Sequence, residues 1–242
     1  MSESESEPNL SGQRPVPESE PSRNGAGSPY SFNGFGYGSH QAMAERVAPG
    51  SKVLDVGCAS GYFMAYLRDN KGCQCMGIEP HPESAIAAES AGFVVSNEDA
   101  LTGIEKIKSS HKYDHIIFGD VLEHMVDPMP VLLASKSLLK PGGSIVISLP
   151  NIVGPRGRVP IIFGIWRYKE SGIFDKTHLR FYSVKTGREL IQNAGYEIVN
   201  EVFVGPLTTL GGRAWKHVTG LRPNLLANQM IFDARPANIG LH

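Results

Sequence analysis

His124 and His178 are the side chains best suited to proton chemistry, because an imidazole titrates near neutrality and can take the proton of a hydroxyl. His124 directly follows Glu123, and His178 sits in the string Asp175, Lys176, Thr177, His178, Leu179, Arg180. In an extended segment His178 and Arg180 share a face, so that string offers a base, an orienting carboxylate in Asp175 and a fixed cation in Arg180. The competing accounts are a His–Arg pair that only ties a segment to the sheet, and a His124 that only orients its own loop. A second constellation lies upstream, in VLDVGCASGYF from Val53 to Phe63. A short apolar run meets a turn carrying Gly57 and Gly61 and then an amphipathic run, the pattern of a buried strand, a tight turn and a helix start.

That turn is not the dinucleotide fingerprint, which needs Gly-x-Gly-x-x-Gly; here Asp55 precedes Gly57 and the second glycine comes four residues later. A carboxylate there repels a pyrophosphate and suits a cationic ligand, while the glycines let the backbone approach an adenosine closely. S-adenosylmethionine, an adenosine carrying a sulfonium and an ammonium, has that chemistry. Glu79 ends the next strand pattern, Cys75 to Ile78, about 20 residues beyond the turn, where an acid can accept hydrogen bonds from both ribose hydroxyls.

On these residues the chain resembles the class I S-adenosylmethionine-dependent methyltransferases, over about Tyr30 to Arg235. The resemblance implies an α/β fold, a doubly wound, seven-stranded, mostly parallel sheet with an antiparallel last strand. It implies a cofactor site of Asp55, Gly57, Cys58, Gly61, Glu79 and Asp120, with Asp99 and Ala100 at the adenine. DVLEH, Asp120 to His124, resembles the fourth-motif region of small-molecule methyltransferases. Gly172 to Phe181 resembles a bacterial subfamily acting on sugars of surface glycans or natural products, and Leu149 to Asn151 more distantly resembles methionine-biosynthesis methyltransferase-like proteins. The substrate side is assigned to Asp175, Arg180, Tyr37 and Asn151. Tyr30, Tyr37 and His40 are candidates for a cover over the cofactor, or simply dock their segment on the core.

The elements that must position these groups follow in order. Residues 1–28 are Ser, Glu, Pro, Gly and Asn with little apolar surface, and are expected to be a disordered acidic tail before a methyltransferase domain over 29–242. A helix-like run covers Gln41 to Val47; a helix over Pro82 to Ala91 is capped at Gly92, and Phe93 to Val95 is a short third strand. His115 to Phe118 is a strongly apolar strand whose carboxyl end delivers Asp120, Glu123 and His124. Asp127 and Pro128 start a helix ending near Leu139, and KPGG turns the chain into a fifth strand, Ser144 to Leu149. Residues 151–182 are too long for a routine crossover and are expected to form a substrate cap, with the apolar run Ile161 to Trp166 packed on the domain. The last helix, Thr186 to Ala194, precedes strands Tyr196 to Val204 and Gln229 to Ala234, with a loop and short helix over Leu207 to Leu226 between them.

Composition bounds the rest. At 242 residues and 41% apolar content the chain can bury one α/β core, and a formal charge of -1 gives no bulk attraction to nucleic acid. From Arg156 to Glu189 eight Lys or Arg face three acids, a local excess of five that would favour an anionic small-molecule substrate. Cys58, Cys73 and Cys75 have no zinc spacing and read as reduced thiols of a cytoplasmic protein; no apolar run reaches the ~18 residues of a membrane span. Methyl transfer from a sulfonium needs mainly alignment of an acceptor lone pair with the methyl carbon, so no metal is expected; the weaker metal option names Asp120, Glu123 and Asp175. The expected activity is O-methylation of a sugar hydroxyl. The alternatives are an amine or hydroxyl of a non-sugar metabolite, and a cofactor-binding partner subunit without turnover.

Overall fold

The computed structural model describes residues 38–108, 112–206 and 216–237. The expected acidic tail, Tyr30 and Tyr37 lie outside the described residues.

Seven strands form one sheet: β1 Lys52–Val56, β2 Gln74–Ile78, β3 Val94–Ser96, β4 Tyr113–Gly119, β5 Leu139–Pro150, β6 Tyr196–Val204 and β7 Gln229–Pro236. Their order is β3-β2-β1-β4-β5-β7-β6, with β7 antiparallel to both its neighbours and every other pairing parallel. The expected fold class is therefore observed. Helices α1 Ser39–Ala44, α2 Tyr62–Lys71, α3 Pro82–Ser90, α4 Ala100–Ile107, α5 Met129–Ser135 and α7 Val184–Asn193 accompany the sheet. The chain also forms α6 Pro155–Ile162 after β5, and α8 Lys216–Leu221 with α9 Pro223–Leu226 before β7.

Central strands read as continuous apolar runs because both their faces are covered. Val53, Leu54 and Val56 in β1 and Ile116 to Phe118 in β4 are fully buried. Each such side chain stabilises the fold by about 1.5–3 kcal/mol. β1 pairs with β2 on one side and with β4 on the other, and the chain winds outward from it in both directions. This strand-order reversal leaves a crevice beyond the carboxyl ends of β1 and β4. Register places Val56 beside Phe118, so the turns after the two strands start side by side.

Some boundaries differ from expectation, each for a local reason. α7 starts at Val184, two residues before the expected start, because Ser183 caps it and Thr186 completes a reciprocal capping box with Ser183. Lys140 to Gly143 do not precede β5 but bulge from it, between the paired residues Leu139–Tyr113 and Ser144–His115. α5 ends at Ser135, and a 3-10 turn, Lys136–Leu138, continues it. α3 closes on Ala91, with Gly92 following at a left-handed φ of +88°.

The insertion after β5 corrects a larger expectation. Its apolar run does not pack on the domain: Ile162 is 70% and Phe163 74% exposed, and Ile161, Ile165 and Trp166 are also exposed. α6 is held instead through its glycines, since a Cβ on Gly154 would fall 1.9 Å from the Ala227 carbonyl and one on Gly157 1.9 Å from that of Ile152. With its smallest residues turned inward, the larger ones face out. Trp166 returns the chain by packing edge-on against Phe174 and Phe181, at centroid distances of 5.0 and 5.4 Å.

Candidate active site

The turns after β1 and β4 touch. Gly57 has φ +77°, and a Cβ there would lie 2.4 Å from Cγ2 of Val121, so only glycine serves both the conformation and the contact. Gly61, at φ +78°, starts α2 against Ala88 and Phe93 of the neighbouring layer. The Cβ position of Gly61 and the side chain of Cys58 both face Ala88 and Phe93 rather than the crevice. The Cys58 side chain packs over Gly77, where a Cβ would come within 2.4 Å of its sulfur, in a cluster with Met64, Ala88 and Phe93. Burial pushes its thiol well up, with the Asp55 and Glu79 carboxylates adding to the shift. The Cys58 side chain therefore offers nothing to the crevice, and any part of Cys58 in a cofactor site is that of its backbone.

Asp55 is buried under the turn, and burial, assisted by the charge of Glu79, pushes it up to about 7. The same group titrates at about 3.9 in an unfolded chain. Its folded value is raised, so its contribution to stability is fully present below the unfolded value and is lost as pH rises toward about 7. Between about pH 5 and 7.5 ligand-free wild type is therefore expected to lose a few kcal/mol more stability, or gain that much less, than Asp55→Asn. Thermal melts across that range check it; an equal slope in the variant would place the pH dependence elsewhere.

Two cavities open along the strand ends. The first, about 920 Å³, is lined by Gly57, Ile78, Glu79, Asp99, Ala100 and Asp120 among others. Glu79 is only 4% exposed, and its carboxylate accepts the amides of Ala59 at 2.8 Å and His81 at 3.0 Å, one on each oxygen. Each oxygen keeps further acceptor capacity. Asp99 is the N-cap of α4: it accepts Leu101 N–H at 3.0 Å, Thr102 N–H at 3.1 Å and the Thr102 hydroxyl at 2.6 Å, bonds that hold it below the usual carboxylate range. Ala100 opens that helix, where backbone amides have no intrahelical acceptor.

The second cavity, about 330 Å³, is lined by His40, Tyr62, Glu123, His124, Arg156, Asp175, His178 and Gln229 among others. It shares Gly57, Ala59, Asp120, Val121 and His124 with the first. Asp120 stands at the junction with φ +57°. Its Oδ1 accepts the Ser148 hydroxyl at 2.8 Å and the Gln229 amide, and burial raises it against the opposing pull of Ser148 and of His40, His178 and His124. His40 meets the Tyr62 hydroxyl at 2.8 Å, and burial lowers its pKa against the pull of Asp120.

Asp175 does not orient His178. Its Oδ1 accepts the Thr177 hydroxyl at 2.6 Å and the Thr177 amide at 2.8 Å, and Thr177 in turn meets Nδ1 of His124, with Oγ1 at 3.0 Å and its carbonyl at 3.2 Å. Asp175, Thr177 and His124 thus form a relay that places the proton of neutral His124 on Nδ1, the assignment its carbonyl contact requires. Burial pushes Asp175 up, but the Thr177 bonds and the two histidines outweigh it and hold it low. His178 directs Nδ1 to the Ile173 carbonyl at 3.3 Å, and burial together with His124 lowers its pKa. The two rings lie 4.7 Å apart, edge to face. Glu123 is wholly buried, with burial first and the Asp120 and Asp175 charges next raising it well above the ordinary range; its backbone carbonyl accepts the amides of Leu179 and Arg180.

Two expected substrate residues lie elsewhere. Arg180 turns its guanidinium to the Val126 carbonyl, 2.8 Å from Nε. Asn151 is fully buried and donates to the Ala227 carbonyl at 2.9 Å and the Pro223 carbonyl at 3.3 Å. Both therefore hold the insertion in place. Arg156 is a lining cation that the sequence reading left unassigned, and Thr177, Ser148 and Gln229 are positioning residues with no local signal. A further cavity at the β6 edge, by Asn200 and His217, is remote from the strand ends, and its Arg188 and Glu201 already pair at 2.6 Å.

Comparisons with known proteins bear on this arrangement. The family model described as "Methyltransferase domain" matches residues 38–201. The ubiquinone biosynthesis O-methyltransferase of Citrobacter koseri is 34% identical over 106 residues, covering 42% of this chain and 43% of that protein. The protein so named from Xanthomonas campestris pv. campestris is 32% identical over 128 residues, covering 51% of each. The match thus spans about half the length of these curated relatives. Among solved structures, a possible histamine N-methyltransferase from Thermotoga maritima superposes with a TM-score of 0.60 at 18% identity, covering 84% of this chain and 90% of the other. An S-adenosylmethionine-dependent methyltransferase from Archaeoglobus fulgidus gives 0.56 at 19%, covering 81% and 94%. At these identities the structural likeness establishes the fold.

Proposed function

The chain belongs to the methyltransferase domain family, and we propose that it transfers the methyl group of S-adenosylmethionine to a hydroxyl of a small non-sugar molecule. The observation that carries this reading is the pair of cavities meeting at Gly57, Asp120 and Val121. The adenosine lies in the larger one, with Glu79 accepting from the ribose hydroxyls, Asp99 from the exocyclic amine, and the Ala100 amide at the ring. Asp55 stabilises the cationic end from beneath the turn. The sulfonium sits beside Asp120 with its methyl toward the smaller cavity. An in-line displacement there needs the acceptor oxygen about 3–3.5 Å from the methyl carbon, along the axis of the breaking bond.

The smaller cavity has the volume for a single-ring acceptor. Its histidines suit a hydroxyl whose proton leaves during transfer. Arg156, rather than Arg180, is the cation that would meet an anionic group on the acceptor. Non-sugar O-methylation is favoured over the sugar acceptor because the relatives that match in sequence carry an O-methyltransferase name with a non-sugar product.

The test is calorimetric titration with S-adenosylmethionine, followed by transfer assays on phenolic and aliphatic hydroxyl compounds, amines and nucleotide sugars. Cofactor binding with transfer to a non-sugar hydroxyl is expected. Transfer confined to sugars or amines would overturn the acceptor assignment, and binding without transfer to any acceptor would favour a partner-binding role.

A further inference from the structure

Resting on the acceptor cavity just described, we propose that Glu123, His124 and His178 bind a first-row divalent metal ion there, through two imidazole nitrogens and one carboxylate. One donor atom from each residue lies within 4.8 Å of the others. This differs from the set Asp120, Glu123 and Asp175, of which Glu123 alone belongs to the cluster. Asp120 is bonded to Ser148 and Gln229, and Asp175 to Thr177.

The independent observation is the state of Glu123. Its side chain is 0% exposed and lines the cavity, and neither carboxylate oxygen has a hydrogen-bond partner among the described residues. Burying such a group unpaired is costly, and native sites satisfy it with a donor or a cation. The neighbouring rings do not act as donors to it. His124 has its Nδ1–H on Thr177 and His178 has its Nδ1–H on the Ile173 carbonyl, so in the neutral rings both Nε2 atoms carry lone pairs. Nε2 of His178 stands 4.0 Å from Oε1 of Glu123, too far for a hydrogen bond. Two ligands about 2.1 Å from one ion at a tetrahedral angle are about 3.4 Å apart, so a small rotation of either side chain closes that gap.

Outer contacts of the kind that orient metal ligands are already present. Each ring has its second nitrogen on a backbone carbonyl, and Asp175 backs His124 through Thr177. Two imidazoles and one carboxylate select a zinc, manganese, cobalt or iron type of ion over calcium or magnesium. Three protein ligands leave positions for an acceptor oxygen, which the ion would hold beside the methyl and whose hydroxyl it would make more acidic, its proton passing to solvent.

The experiment is titration of the chelator-treated full chain with cobalt(II) chloride, without cofactor or acceptor, following the visible absorption of the bound ion. One equivalent is expected to bind in the wild type. Affinity is expected to fall at least about 100-fold in Glu123→Gln and His124→Ala, beyond the usual loss when only an outer contact is removed. S-adenosylmethionine affinity is measured on each variant to show that the crevice remains folded. His124 is solvent-exposed, so its variant decides the matter if Glu123→Gln does not fold. No stoichiometric binding by the wild type, or equal binding by the His124 variant, would overturn the proposal. Cobalt bound at the site without any hydroxyl methylated would retain the metal and discard the acceptor. Hydroxyl methylation unaffected by chelation, with no cobalt bound, would do the reverse.

Discussion

Glu79→Ala is expected to lower affinity for S-adenosylmethionine by about 100-fold or more, the largest effect of any single change in the cofactor cavity. Two losses combine. The ribose hydroxyls lose a charged acceptor, and charge-assisted bonds contribute about 1.5–3 kcal/mol each. The amides of Ala59 and His81 also lose their shared acceptor, at 2.8 and 3.0 Å, so the turn keeps only the bonds of the Gly57 and Cys58 amides to the Ile78 carbonyl as its ties to the end of β2. Glu79→Gln separates the two: it keeps a carbonyl acceptor for one amide but places an NH₂ against the other. An intermediate loss is expected there. Calorimetry on both variants checks the order, and wild-type affinity in Glu79→Ala would remove the adenosine from this cavity.

His124→Ala and His178→Ala are each expected to slow methyl transfer by about 10²–10⁴-fold, the range over which positioned proton-transfer groups contribute, whether the rings take the acceptor proton or hold the ion that makes it acidic. Cofactor affinity should stay within about twofold, because the bonds assigned to the adenosine come from Glu79, Asp99 and Ala100. The double variant should cost little more than either single one, since groups acting as a unit are non-additive. Single-turnover rates with saturating cofactor check this. Independent, multiplying losses would mean that the two rings serve separate steps, and an undiminished rate in either single variant would leave that ring a purely structural part.

The first half of the sheet and its turns were legible because local rules set them. Continuous apolar runs marked β1 and β4, and the interval from Asp55 to Glu79 marked successive strand ends. What escaped depends on distant pairing. The contact between Thr177 and His124 spans 53 positions and that between Gln229 and Asp120 spans 109, so neither leaves a pattern in either segment. Cys58 belongs to the cofactor set that the resemblance implies, but the notch over Gly77 draws its side chain away from the crevice. The type and neighbourhood of Arg180 and Asn151 point to a substrate, and only the folded insertion shows them bonded to the Val126, Ala227 and Pro223 carbonyls. The apolar content of Ile161 to Trp166 implies burial on average, whereas α6 turns its glycines inward and leaves these side chains exposed.

The left-handed backbone at Asp120 separates two things that usually change together. Asparagine, aspartate and glycine are the residues that occupy that conformation readily. A single-nucleotide change to asparagine or glycine at this position therefore alters the charge where the cavities meet while the loop keeps its course. Such a position lets a lineage explore acceptors of different polarity without first having to rebuild the scaffold, and it gives a protein engineer the same freedom.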